Sequence, residues 1–261
     1  MEEGLVTARE CSRAMRGRRG TRLPCPAMSA HNAPFSPGAT WRIAWPIAMV
    51  MLGIAALVVT AAMASSLGAS SDTVSAVGAF VGSGVILLGA LALVRVLPPA
   101  QRRVTLATKG RTGSTAWIGV GIGLACIMGS AMVISAGVAI DPGAKRALEE
   151  LEVSLGSAWW HMGLVVIAIV VFAPVGEELL FRGLALRGLV RLMPLALAAP
   201  VSGLLFTAAH FDAWLVWPRA VALVLVGWAL AWLYRWRGML AAMVAHATVN
   251  AIAAVALIAQ A

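Results

Sequence analysis

The sequence predicts an all-α, polytopic transmembrane bundle of about seven to eight spans, preceded by a disordered N-terminal extension. Three observations predict it. The 261 residues are 61% hydrophobic and 12% charged, with a mean hydropathy of +0.88, whereas a soluble domain carries roughly 25% charged residues. The apolar residues fall in stretches of about 20, the length that crosses a bilayer as a helix. The excess of 20 Lys+Arg over 11 Asp+Glu, a formal net charge of +9, lies in short clusters between those stretches. That distribution is the one cytoplasmic membrane loops show, and it argues against a nucleic-acid partner.

Met1 to Thr40 is rich in Arg, Pro, Gly and Ser, with Arg9, Arg13, Arg16, Arg18, Arg19 and Arg22 ahead of Pro24. It has no apolar periodicity and cannot bury a core, so it reads as a disordered basic extension, 1–40. It is either a tail that touches anionic lipid or a dispensable extension with Met15 or Met28 as the true start. It lacks the apolar stretch of a signal peptide directly after the basic run. The remaining residues, 41–261, read as one transmembrane helical domain.

The expected spans are Trp45 to Leu67, Val74 to Leu97, Trp117 to Ile140, Trp160 to Leu180, Leu195 to Phe211, Pro218 to Tyr234, and Met239 to Ala259. Trp41, Trp45, Trp117, Trp159, Trp160, Trp214, Trp217 and Trp236 fall near their ends, where aromatic side chains favour the interface. Arg95, Arg102, Arg103, Lys109 and Arg111 make one loop strongly basic, while Asp141 to Glu152 is net acidic. Alternating the loops puts the N-terminus in the cytoplasm and the C-terminus outside. Asp141-Pro142-Gly143 signals a turn, and Lys145 to Leu155 reads as a short surface helix. Gly78 and Gly82, and Gly119 and Gly123, have the small-xxx-small spacing of close helix crossings. Cys11, Cys25 and Cys126 show neither metal nor disulfide spacing, and no internal repeat is evident.

Against this apolar background, Glu177 and Glu178 stand out. They follow the run Gly163 to Val175, and a carboxylate near membrane depth costs several kcal/mol unless paired or solvated, about 2.5–3.5 kcal/mol on insertion scales. Arg182 stands four residues after Glu178, on the same helix face. Two further pairs repeat that spacing in other apolar segments: Phe206 with His210, and His246 with Asn250. A carboxylate and a histidine can together hold and deprotonate a water. A second histidine and an amide can donate to an oxyanion. Together these groups suit water attack on an amide. Singly, each has a plainer reading: Glu178–Arg182 as a structural ion pair, His246–Asn250 as interhelical hydrogen bonding, and His161, beside Trp159 and Trp160, as an interfacial residue.

Pro174-Val175-Gly176-Glu177-Glu178-Leu179-Leu180-Phe181-Arg182-Gly183 resembles the PxxEExxFRG motif of the CAAX protease and bacteriocin-processing family of Abi-type intramembrane proteases. Phe206 to His210 resembles its FxxxH motif, and His246 to Asn250 its HxxxN motif, in the family's order, within a core of about 160–254. One departure is Leu240-Ala241-Ala242-Met243, where many relatives carry a proline before the last histidine. The resemblance implies an intramembrane endopeptidase. Glu177 would be the general base and His210 its partner on the water, with His246 and Asn250 as oxyanion donors. Glu178, Arg182 and Phe206 would support them. It implies a peptide or membrane-protein substrate and a metalloprotease-like centre. No cofactor is favoured; zinc held by Glu177, His210 and His246 is the alternative, although no HExxH helix is present. The expected location is a bacterial plasma membrane, a reading that the Ala/Gly/Arg-rich composition suggests. The rival functions are a catalytically silent binding or immunity protein of the same fold and a proton-coupled transporter.

The expected span edges conflict with this chemistry. They put Glu177 near the inner end of the fourth span and His210 near the outer end of the fifth, roughly 20 Å apart at about 1.5 Å per residue. Sharing a water requires either that the fourth helix run well past Arg182 or that Pro194 to Pro200 be tilted or re-entrant.

Overall fold

The computed structural model describes residues 38–150 and 158–259, all within one compact unit, Ser36–Ala261. The expected basic extension, 1–40, lies outside the described residues except for 38–40, as does the end of the expected surface helix, 151–155.

The described residues are helical: α1 (Ala39–Ser66), α2 (Ser71–Arg95), the short α3 (Pro99–Thr105), α4 (Thr112–Ile140), the short α5 (Pro142–Glu150), α6 (Trp159–Leu189), α7 (Leu195–Ala208), α8 (Trp217–Arg237) and α9 (Met239–Ile258). Six of these are long and apolar enough to cross a membrane, and α7 is a shorter apolar helix. Large apolar side chains such as Met51, Val58, Leu88, Met128 and Met132 point outward, as they do where lipid is the solvent. This is an integral membrane protein.

Three crossings set the packing. Gly53 and Gly82 bring α1 and α2 together, because a Cβ on Gly82 would lie 3.1 Å from the Gly53 carbonyl. Gly119 and Gly123 bring α4 onto α9, where added Cβ atoms would lie 2.8 Å and 2.6 Å from the carbonyls of Ala241 and Ala245. Of the expected small-residue pairs, Gly119 and Gly123 both make the close approach, while of Gly78 and Gly82 only Gly82 does, against Gly53. A crossing absent from the sequence reading joins α7 to α8: a Cβ on Gly203 would lie 2.7 Å from the Val224 carbonyl, and one on Gly227 would lie 2.8 Å from Gly203 Cα.

Helix α6 is the centre. Half of its apolar window is buried in protein, against 11% in α1 and α4. Leu179, Leu180, Phe181, Leu184, Leu186 and Leu189 form much of the main core with residues of α1, α2, α7, α8 and α9. The sequence reading ended this span near Leu180; the helix instead continues to Leu189. Arg182, beyond the expected end of the span, is fully buried and its charge is met inside the bundle. Glu177 consequently sits 18 residues from one end of the helix and 12 from the other, well inside it. This removes the 20 Å conflict.

The start of α9 is pinned by the basic loop. Gly238 turns the chain with φ +89°, a conformation that disfavours a side chain, and its backbone packs on the Ala107 carbonyl. Lys109 donates its backbone N–H to Arg237 O at 2.9 Å, and Met239 donates to Ala107 O at 3.0 Å. Lys109 Nζ also donates to Arg235 O at 2.6 Å, a cation on the carbonyl end of α8.

Candidate active site

Helix α6 carries the acidic pair through two widened stretches, Ile167–Phe172 and Leu179–Ala185, where N–H groups reach carbonyls five residues back. Ala173 N–H, for example, bonds Ala168 O, and Leu186 N–H bonds Phe181 O. Such bulges recur at functional sites because they rotate the side chains between them. Glu177 and Glu178 lie in the regular turn between the two. Gly176 lets α2 come close beside them, since a Cβ there would lie 3.0 Å from the Leu87 backbone.

Glu178 is fully buried and its Oε1 meets a cation and a hydrogen-bond donor. Arg182 Nη1 lies 2.9 Å away in an ion pair. His246 Nδ1 donates to the same oxygen at 3.0 Å. Arg182 spends a second arm on α8, where Nη2 donates to Gly227 O at 3.0 Å. The buried glutamate thus ties α6 to α9, and the arginine ties α6 to α8. A buried pair survives only with such extra hydrogen bonds, because desolvation consumes much of the Coulombic gain.

Glu177, 8% exposed, faces the other way. Its Oε2 lies 3.9 Å from His210 Nε2 and 3.9 Å from His246 Nε2, and it has no hydrogen-bond partner among protein groups. Which nitrogen carries a hydrogen follows, in each ring, from the partner of Nδ1. His210 Nδ1 is 2.9 Å from the Phe206 carbonyl. A carbonyl only accepts, so Nδ1 donates and neutral His210 turns the Nε2 lone pair toward Glu177. His246 Nδ1 donates to Glu178 in the same way, and its Nε2 also faces Glu177.

Phe206 fills the space behind these groups. Its ring lies 5.5 Å from Phe181, 4.8 Å from His210 and 5.5 Å from His246, centre to centre. His210 ends α7, with its N–H on Thr207 O at 2.9 Å. Trp214, in the short turn that follows, also donates to Thr207 O, at 3.2 Å.

Asn250 lies on α9 one turn beyond His246. Its Nδ2 donates to the Ile169 carbonyl on α6 at 2.7 Å. One amide proton is thereby committed and the other remains. His161 stands apart from the cluster, with Nε2 3.0 Å from Thr73 Oγ1, in keeping with its plain reading.

The residues the sequence singled out thus come together as two layers. Glu178, Arg182, His246 and Phe206 are fully packed, while Glu177 and His210 border the more open side, His210 with a side chain 29% exposed. Gly203, Gly227 and Ile169 were not anticipated; they contribute backbone, which sequence spacing does not mark. Among the described residues no three His, Cys, Asp or Glu side chains form a group suited to a metal ion. A tetrahedral zinc with ligands at about 2.0–2.1 Å sets ligand atoms roughly 3.3 Å apart, closer than the 3.9 Å between Glu177 Oε2 and either Nε2.

No curated protein and no solved structure matches the chain. Residues 159–252, which hold all of these α6–α9 side chains, match the family described as type II CAAX prenyl endopeptidase Rce1-like.

Proposed function

We propose that the protein is an intramembrane endopeptidase in which Glu177 and His210 activate a water for attack on a peptide bond. One observation carries this reading: a buried carboxylate oxygen without a protein partner, 3.9 Å from an imidazole nitrogen whose lone pair faces it. A water about 2.8 Å from each would subtend an angle of about 90°, within reach of both acceptors. Its two O–H groups donate hydrogen bonds to Glu177 and His210, and an oxygen lone pair is left for the carbonyl carbon.

In the first step the water oxygen bonds that carbon and its proton passes to Glu177 Oε2. In the second the C–N bond breaks and the leaving amine takes the proton from Glu177, which returns as carboxylate. His246, in its imidazolium form with Nδ1–H on Glu178, donates Nε2–H to the oxyanion, and the free Nδ2 proton of Asn250 is the second donor. That form also balances charge: Glu177 and Glu178 against Arg182 and His246. The packed layer behind them excludes water and strengthens each interaction. No metal enters the scheme.

The proposed substrate is a peptide or membrane-protein segment. The proposed setting is a bacterial plasma membrane with the N-terminus in the cytoplasm. The test is a proteomic comparison of membranes carrying wild type or Glu177→Ala. The expected result is a precursor that stays uncut only with the variant. Identical proteomes, together with wild-type biological activity of Glu177→Gln, would replace the peptidase by a binding or immunity protein.

A further inference from the structure

We infer that Asn250 is a positioning residue for Glu177: it supplies across the helix interface the hydrogen bond that Pro174 denies to α6. The inference deepens the proposed peptidase reading and rests on it for its catalytic consequence.

The argument is one of register. In the widened stretch Ile167–Phe172, N–H groups bond five residues back, and Ala173 N–H takes Ala168 O. The next bond in that series would join position 174 to Ile169 O. Position 174 is proline and has no N–H. The Ile169 carbonyl is therefore an acceptor that this five-back series cannot satisfy from within α6, and a carbonyl left unpaired at membrane depth is costly. Asn250 Nδ2 donates to that oxygen at 2.7 Å, from a residue 81 positions away.

The same break is what frees the chain to turn Glu177 inward. Glu177 follows Pro174 by three residues, within the six-residue turn Ala173–Glu178. Two residues of α9 then hold α6 on either side of Glu177: His246 grips Glu178 at 3.0 Å and Asn250 grips Ile169 at 2.7 Å. The two anchors are one helical turn apart on α9 and flank Glu177 on α6. Fixing both sides holds Glu177 Oε2 equidistant from His210 and His246, at 3.9 Å from each.

This role makes a prediction that an oxyanion donor alone does not. Asn250→Ala leaves Ile169 O unpaired; Pro174→Ala returns a backbone N–H at the position that meets it. The experiment is amide hydrogen exchange across 167–180, with mass spectrometry, on purified full-length wild type, Asn250→Ala, Pro174→Ala and the double variant in detergent micelles. The expected result is about tenfold faster exchange in Asn250→Ala, the scale of one lost hydrogen bond. The double variant should return to within about twofold of Pro174→Ala. Cleavage of the precursor that accumulates with Glu177→Ala should fall in Asn250→Ala and recover in part in the double variant, which regains the anchored turn but still lacks the second oxyanion donor.

Unchanged exchange in Asn250→Ala, or exchange as fast in the double as in the single variant, overturns the inference. Exchange restored with cleavage no higher than in Asn250→Ala also overturns it, by assigning Asn250 to the substrate alone. Wild type that cleaves nothing, with the exchange cycle as expected, overturns the peptidase reading and leaves the Asn250–Ile169 bond in place. Asn250→Ser, smaller but still able to donate, serves as the second variant should Asn250→Ala fail to fold; exchange indistinguishable from wild type after the pairing with Pro174→Ala supports the inference, and continued fast exchange opposes it.

Discussion

The guanidinium of Arg182 lies over the ring of Phe206, with Cζ 4.6 Å from the ring centre. The same ring touches both histidines, so one apolar side chain sets the spacing of the cation and the two imidazoles. Phe206→Ala should cost about 3–5 kcal/mol, because its cavity cannot close without moving the bundle. Phe206→Leu should cost far less, about 1–3 kcal/mol including the lost cation–π contact. Unfolding in mixed micelles with increasing denaturing detergent checks this order; equal midpoints for the two variants would contradict it.

Removing one member of the buried ion pair is expected to be worse than removing both. Arg182→Met leaves the Glu178 charge buried with only His246, at a cost of about 3–5 kcal/mol. Glu178→Gln combined with Arg182→Met should recover at least half of that. It should not recover cleavage, because the amide no longer supports the imidazolium of His246. The midpoints of the three proteins decide the first point and precursor cleavage the second.

The close approach of Gly203 and Gly227 holds α8 where its carbonyl can meet Arg182. Gly203→Ala puts a methyl against the backbone at Val224 and Trp228, which cannot rotate away. The expected cost is about 1–3 kcal/mol, with loss of cleavage as His210 shifts with α7. Gly121→Ala is the control: nothing lies within 4 Å of its added methyl, and a helical Gly→Ala change there should be neutral or stabilising by up to about 1 kcal/mol. Equal effects at the two glycines would contradict the crossing as drawn.

Much of this was readable in the linear sequence, and the failures have physical causes. Apolar stretches near bilayer length marked the long helices, because hydropathy reports the solvent directly. Acidic, basic and imidazole side chains within apolar runs marked Glu177, Glu178, Arg182, His210 and His246, because such groups are costly there. The extent of α6 was misjudged, since Arg182 carries the composition of a loop while Glu178 neutralises it inside the bundle. The 3.9 Å meeting of Glu177 with two histidines depends on how α6, α7 and α9 cross, and spacing within one helix does not encode that. Pro174 has no N–H; only the fold shows that Asn250 answers for it. Gly203 stands four residues after Ala199 on α7, a spacing too common to mark the crossing, because the glycine that meets it is Gly227 on another helix.

The most direct measurement is the cleavage rate of the accumulating precursor by purified wild type, Glu177→Gln and His210→Ala reconstituted in lipid nanodiscs. The account predicts that both variants keep the wild-type unfolding midpoint within about 1 kcal/mol, since Glu177 makes no hydrogen bond within the protein through Oε2. It predicts that each lowers the rate by at least about 10²–10⁴-fold, the range for loss of a general base or its partner. Undiminished turnover in either folded variant would contradict the assignment of Glu177 and His210 to the attacking water.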